Sequence, residues 1–128
     1  MSGQQLGHLL LAVSIFAGAV GHTLLKRIVS SVPAGERLIL PSSLFSSAQD
    51  AALLSVAFIS LATAFCGWLG AIRHLDLSYA YAITSASIVV VALLATIFLG
   101  ETLSLRAWIG LLLILLGSVL VAPDYAAT

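Results

Sequence analysis

LSYAYAITSASIVVVALLATIFL, residues 77–99, runs for 23 positions without a charged side chain. Coiled at 1.5 Å per residue it reaches about 34 Å, enough to cross the ~30 Å hydrocarbon layer of a bilayer. It shows no period-2 alternation, and every backbone N–H and C=O in lipid must be satisfied within the segment, so a membrane-spanning helix is the reading that fits. Its two halves differ. The first carries Ser78, Tyr79, Ala80, Tyr81, Thr84, Ser85 and Ser87, and the second, from Ile88 onward, is almost wholly aliphatic. Hydroxyls in lipid require partners, which turns the first half toward a protein interior or a cavity. Tyr81, the deeper of the two tyrosines, and Ser85 are therefore candidates for substrate contact. Tyr79 and Tyr81 equally fit an aromatic belt at the membrane surface.

Working outward, three further apolar windows cover residues 6–25, 51–72 and 103–122, the last containing Arg106, whose long stem can snorkel to the interface. The predicted fold is all-α, an integral-membrane four-helix transmembrane bundle forming a single domain over residues 1–128, with one long loop at 26–50. Composition agrees. Of 128 residues 61% are hydrophobic and 8% charged, whereas soluble domains carry about 25% charged residues. The loop holds Pro33, Gly35, Pro41 and the serine-rich stretch 42–47, all turn-forming. Leu38 to Leu40 with Leu44 and Phe45 allow part of it to lie on the bilayer, and a plain solvated loop fits as well. The connections at 73–76 and 100–106 are short, so the second, third and fourth helices are expected to pack as sequential antiparallel neighbours.

The first window is expected to stay in the membrane rather than be cleaved as a signal. No Lys or Arg precedes Leu6, and the apolar run exceeds the ~7–15 residues of a signal core. Cys66, the single cysteine, lies in an apolar window and reads as a small packing residue. Net formal charge is zero, which gives nucleic acid no basic patch to bind, and no Walker loop, dinucleotide fingerprint, zinc-spaced Cys/His set or nucleophile elbow occurs. No enzymatic activity, metal or cofactor is expected. Lys26, Arg27, Arg37 and Arg106 fall on the side of the first and third connections and Arg73 alone on the other. The positive-inside bias then places both termini outside the cytoplasm.

Within the first window Ser14, Gly18 and His22 follow one another at i, i+4 and i+8, with Ala17 and Gly21 beside them. This stripe of small side chains suits close helix packing. His22 stands out within it, because an imidazole near the end of a membrane helix needs a polar partner or water, and it is a candidate for substrate contact or titration. Lys26 and Arg27 follow directly, placed to anchor the helix or to grip an anionic phosphate. Glu101, at an interfacial turn, is expected to cap the following helix or to pair with Arg106, and is a second candidate for titration. Gly110 and Gly117, seven residues apart on one face, mark a seam for close contact between subunits.

Ser78-Tyr79-Ala80-Tyr81-Ala82, then Gly100-Glu101-Thr102-Leu103-Ser104, Trp108, Gly110 and Gly117 in a final apolar helix, together resemble the drug/metabolite transporter superfamily, EamA-like and small-multidrug-resistance-like. Gly21-His22-Thr23-Leu24-Leu25-Lys26 fits the same pattern. The small multidrug resistance branch carries a membrane-embedded Glu in the first helix, where it exchanges protons for cationic drugs. Here that position falls on Gly18, and no Asp or Glu lies in the first helix. The chain is more similar to the other four-helix branch, the paired subunits that flip aminoarabinose-phosphoundecaprenol. The resemblance implies a multi-pass transporter subunit of the cell inner (plasma) membrane, moving a lipid-linked or small-molecule substrate. His22, Lys26, Arg27, Tyr81 and Ser85 are the candidate headgroup contacts. Export of a small neutral or cationic metabolite or drug, with His22 or Glu101 titrating, and a role as a non-transporting membrane partner subunit remain open. Four helices enclose little space, so a dimer is expected, either of identical chains or with a similar four-helix subunit.

Overall fold

A computed structural model describes residues 2–31 and 47–126. The body of the predicted loop, with Pro33, Gly35, Glu36, Arg37 and Pro41, lies outside the described residues. The described residues form five helical segments: α1 Gly3–Ser31, α2 Ala48–Ala71, α3 Leu77–Thr84, α4 Ser87–Leu99 and α5 Leu105–Ala126, with α3 and α4 together making the third apolar segment. No strand occurs among the described residues. Three stretches, Gly3–Ser30, Ala48–Ala71 and Leu77–Leu99, are long and apolar enough to cross a membrane, and a shorter apolar helix, Leu105–Val121, accompanies them. The protein is an all-α membrane helical bundle.

The helix ends follow local chemistry. α1 continues past residue 25, so Lys26 and Arg27 sit within its final turns and not at the start of the loop. Both are good helix formers, and Ile28 behind them is buried against Leu53 and Leu54 of α2, which holds the extra turns in place. α2 starts three residues earlier than its apolar window, because Ser47 caps it: its hydroxyl accepts from the Asp50 N–H at 3.0 Å and donates to the Asp50 carboxylate at 2.6 Å. Gly100 closes α4 in the left-handed region at φ 67°, where glycine lacks the Cβ that would clash. Ser104, not Glu101, caps α5, its hydroxyl accepting from the Ala107 N–H at 3.3 Å.

The third span is broken. At Ser85 and Ala86 the ladder tightens to i→i+3 bonds, Ala86 N–H to Ile83 O, Ile88 N–H to Ser85 O and Val89 N–H to Ala86 O, each 3.0–3.1 Å. The Ser85 hydroxyl, 2.6 Å from the Ala82 carbonyl, serves the oxygen that the tightening releases.

The spans do not pack in chain order. α1 lies between α2 and α4, and α3 packs on α5, so α2 and α4 share no extensive interface. The third and fourth apolar segments are neighbours as expected, through α3 on α5, but the second and third are not packed side by side along their length, because α1 takes the place beside α2 through the small side chains on α1 and α2. A Cβ on Gly67 would stand 3.0 Å from the Leu10 carbonyl, and one on Gly21 would stand 3.2 Å from the Ala57 carbonyl. The Ser14 hydroxyl donates across the same seam to the Ala64 carbonyl at 2.7 Å. Close backbone approach of this kind is how helices associate where lipid removes any hydrophobic gain. Elsewhere the bundle is inside-out by soluble standards, with Phe16, Ile97, Phe98 and Leu120 among many large apolar side chains on the outside.

Candidate functional site

The stripe on α1 divides into two uses. Ser14 and Gly21 press into α2, while Gly18 and His22 line a cavity of about 280 Å³ between α1, α2 and the break in the third span. Thr84 and Ser87, which flank the break, line it from the opposite side. The Ser14 and Thr84 hydroxyls donate their protons to Ala64 O and Ala80 O, each at 2.7 Å, and so offer the cavity only acceptor lone pairs. Among the described residues the His22 imidazole and the Ser87 hydroxyl make no hydrogen bond, which leaves both free to meet a guest. The cavity is thus suited to a hydroxylated or otherwise hydrogen-bonding group.

Farther along the same α1–α4 interface lies a second pocket, of about 220 Å³. Its walls are Val20, Leu24, Leu94, Phe98 and Leu99, with Thr23 and Arg27 the only polar members. The Thr23 hydroxyl is turned back onto Ala19 O at 2.8 Å, so the guanidinium of Arg27 is the pocket's polar feature. An apolar slot with a cationic residue at its edge matches an amphiphile with an anionic head. Beside it, the Lys26 ammonium is ion-paired with the Glu101 carboxylate. Glu101 therefore pairs neither with Arg106 nor with the helix it precedes. With side chains 57% and 34% exposed, the pair contributes no more than about 1 kcal/mol and is readily exchanged for another partner.

Not all the residues singled out in the sequence converge. His22 with Gly18, and Arg27 with the Lys26 pair, share the α1–α4 interface. Ser85 instead joins the Ser118 hydroxyl of α5 at 2.5 Å, a contact that ties α3 to α5 and faces neither pocket. The Tyr81 ring lies edge-on to Trp68, with centroids 5.4 Å apart, and is 56% exposed. A Cβ on Gly110 or Gly117 would meet nothing within 4 Å among the described residues, so neither belongs to a seam inside this chain. Sequence reasoning missed Thr84 and Ser87, which differ from Ser85 only in the side of the helix they occupy. It also missed Gly67, although a glycine within an apolar window was a visible signal. At the opposite end, His8 bridges α1 and α3: its Nδ1 lies 2.7 Å from Gln4 O and its Nε2 2.7 Å from the Tyr79 hydroxyl. A carbonyl can only accept, so Nδ1 carries the proton and, in the neutral ring, Nε2 accepts from the tyrosine.

The sequence profile of the EamA-like transporter family matches residues 5–122. Among curated proteins, the chain is 38% identical to the "Probable 4-amino-4-deoxy-L-arabinose-phosphoundecaprenol flippase subunit ArnE" of Yersinia pestis (strain Pestoides F) over 69 residues. It matches the protein of the same name from Yersinia pseudotuberculosis serotype O:1b (strain IP 31758) to the same degree. The matched stretch covers 54% of this chain and 60% of each relative's length. No solved structure matches.

Proposed function

This chain belongs to the EamA-like transporter family, and on that premise we propose that it is one subunit of a small transporter of the cell inner membrane, flipping a polyprenyl-phosphate-linked sugar or a related anionic amphiphile. The observation that carries the reading is α1, on which stand both a largely apolar cavity with His22, Thr84 and Ser87 in its lining and an apolar pocket lined in part by Arg27. A phosphate suits Lys26 and Arg27, an isoprenoid tail suits the walls of Leu94 and Phe98, and sugar hydroxyls suit His22, Thr84 and Ser87. The flippase name carried by the curated relatives points the same way. Homodimerisation, or pairing with a similar four-helix subunit across the Gly110 and Gly117 face of α5, belongs to the same reading. The test is translocation of a polyprenyl-phosphate glycolipid in proteoliposomes. Lys26→Ala with Arg27→Ala is expected to abolish flipping while the protein still inserts, and full activity of that variant would refute the phosphate grip.

A second reading, export of a small neutral or cationic metabolite, is favoured by His22 standing without a protein partner among the described residues in a cavity that has hydroxyls on both walls. In that case uptake into vesicles depends on an imposed pH gradient and is lost in His22→Ala. Uptake indifferent to the gradient would exclude it.

A further inference from the structure

We propose that the Lys26–Glu101 ion pair is a strap that fixes the spacing of α1 and α4, and that its release lets the two helices part and admit an apolar chain between them. The inference rests on the reading of the apolar pocket as the seat of such a chain and adds what controls its width. At about 220 Å³ the pocket is smaller than the ~300–1,000 Å³ of ordinary ligand sites. Its lining comes from two helices, Val20, Leu24 and Arg27 of α1 with Leu94, Phe98 and Leu99 of α4. A long chain can enter only if these walls separate.

The strap joins the same two walls. Lys26 belongs to the last turns of α1. Glu101 is fastened to α4 by its own backbone, its N–H donating to Ala95 O at 3.3 Å beyond the left-handed Gly100. The carboxylate therefore travels with α4, and the ion pair must break when α4 leaves α1. α1 is the fixed wall, because the close contacts at Gly21 and Gly67 and the Ser14 hydroxyl bind it to α2. α4 is the movable one. It packs chiefly on α1 and only slightly on α5, and its Thr96 hydroxyl is turned back onto Ala92 O at 2.9 Å. The pair stands at the end of α4 opposite Ser87, so its hold acts across 13 residues, about 20 Å of helix. Both charged side chains are partly exposed, where an incoming anion can take Lys26 from Glu101 at little cost. Binding of an anionic head and widening of the pocket then become one event.

The experiment measures the separation of α1 and α4 by double electron–electron resonance between spin labels placed through Val29→Cys and Ile97→Cys, both exposed positions, in a Cys66→Ser chain in uncharged maltoside micelles. Lys26→Gln and Glu101→Gln are each expected to populate a distance about 4 Å longer, the thickness of one inserted layer of carbon atoms. That population should rise by about two- to fivefold, the scale of one partly exposed ion pair. Lys26→Glu combined with Glu101→Lys should return the distribution to that of the starting chain, a rescue that loss of packing alone would not give. Added dodecyl phosphate should lengthen the distance in the starting chain. Unchanged distributions in both single variants, or no rescue by the exchanged pair, overturn the strap, and if dodecyl phosphate still lengthens the distance the amphiphile reading survives. Lengthening in the single variants without any response to dodecyl phosphate supports the strap and overturns the amphiphile reading.

Discussion

Gly21 on α1 and Gly67 on α2 set the distance between the two helices that form the tightest seam of the bundle. At Gly67 a new Cβ would press on the Leu10 carbonyl at 3.0 Å, and backbone cannot swing aside as a side chain can. Gly67→Val is therefore expected to destabilise the fold by about 1–3 kcal/mol, read as a lower midpoint in detergent-induced unfolding. Gly117→Ala, where a Cβ meets open space among the described residues, should leave the midpoint of the single chain unchanged. Equal losses in the two variants would show that the seam is misassigned. His22 is the opposite kind of residue. It is exposed to a cavity and holds nothing together among the described residues, so His22→Ala should insert and unfold like wild type while transport falls. A matching loss of stability would make it a packing residue.

At the scale of elements, the break in the third span gives two half-helices with different neighbours, α3 on α5 and α4 on α1. The Ser85 and Ser118 hydroxyls span the first of these contacts. Three oxygen-to-oxygen contacts, to Ala82 O, to Ile114 O and between the two serines, share only two protons, so one hydroxyl donates to a carbonyl and the other donates to its fellow serine. A double-mutant cycle of Ser85→Ala and Ser118→Ala should return a coupling of about 0.6 kcal/mol and no more than about 1.7, the range for hydrogen bonds between membrane helices. Zero coupling would remove the link between α3 and α5. Of the hydroxyl-rich residues 77–87, Thr84 and Ser87 line a cavity and Ser85 meets α5, while Ser78 and Tyr81 stay exposed. Which hydroxyl faces a cavity and which a neighbouring helix depends on rotation about the axis, and the break shifts that rotation between Thr84 and Ser87.

At the scale of the whole molecule, Leu112, Leu113, Leu116, Val119 and Leu120 of α5 form a large apolar surface that stays exposed among the described residues. The subunit reading places a second four-helix chain there, against Gly110 and Gly117. Gly117→Cys in a Cys66→Ser background should form disulfide-linked dimers on mild oxidation in membranes, whereas a cysteine at Phe16 should not. Cross-linking of both, or of neither, would move the partner to another face.

The all-α membrane bundle, with three long apolar helices and a shorter one, and the transporter family were legible in residues 6–25, 51–72, 77–99 and 103–122, because lipid imposes one demand on every residue it surrounds: apolar side chains and self-satisfied backbone. That demand is local, and hydropathy reads it. Helix order in space was not legible, since α1 inserts between α2 and α4 through contacts between residues distant in the chain, Gly67 with Leu10 and Ser14 with Ala64. Nor was the pairing of Lys26 with Glu101, where charge made several partners equally good and only the turn at Gly100 selected one. Ser85 reached α5 and Thr84 the cavity for the same reason: direction around a helix axis has meaning only once its neighbours are in place.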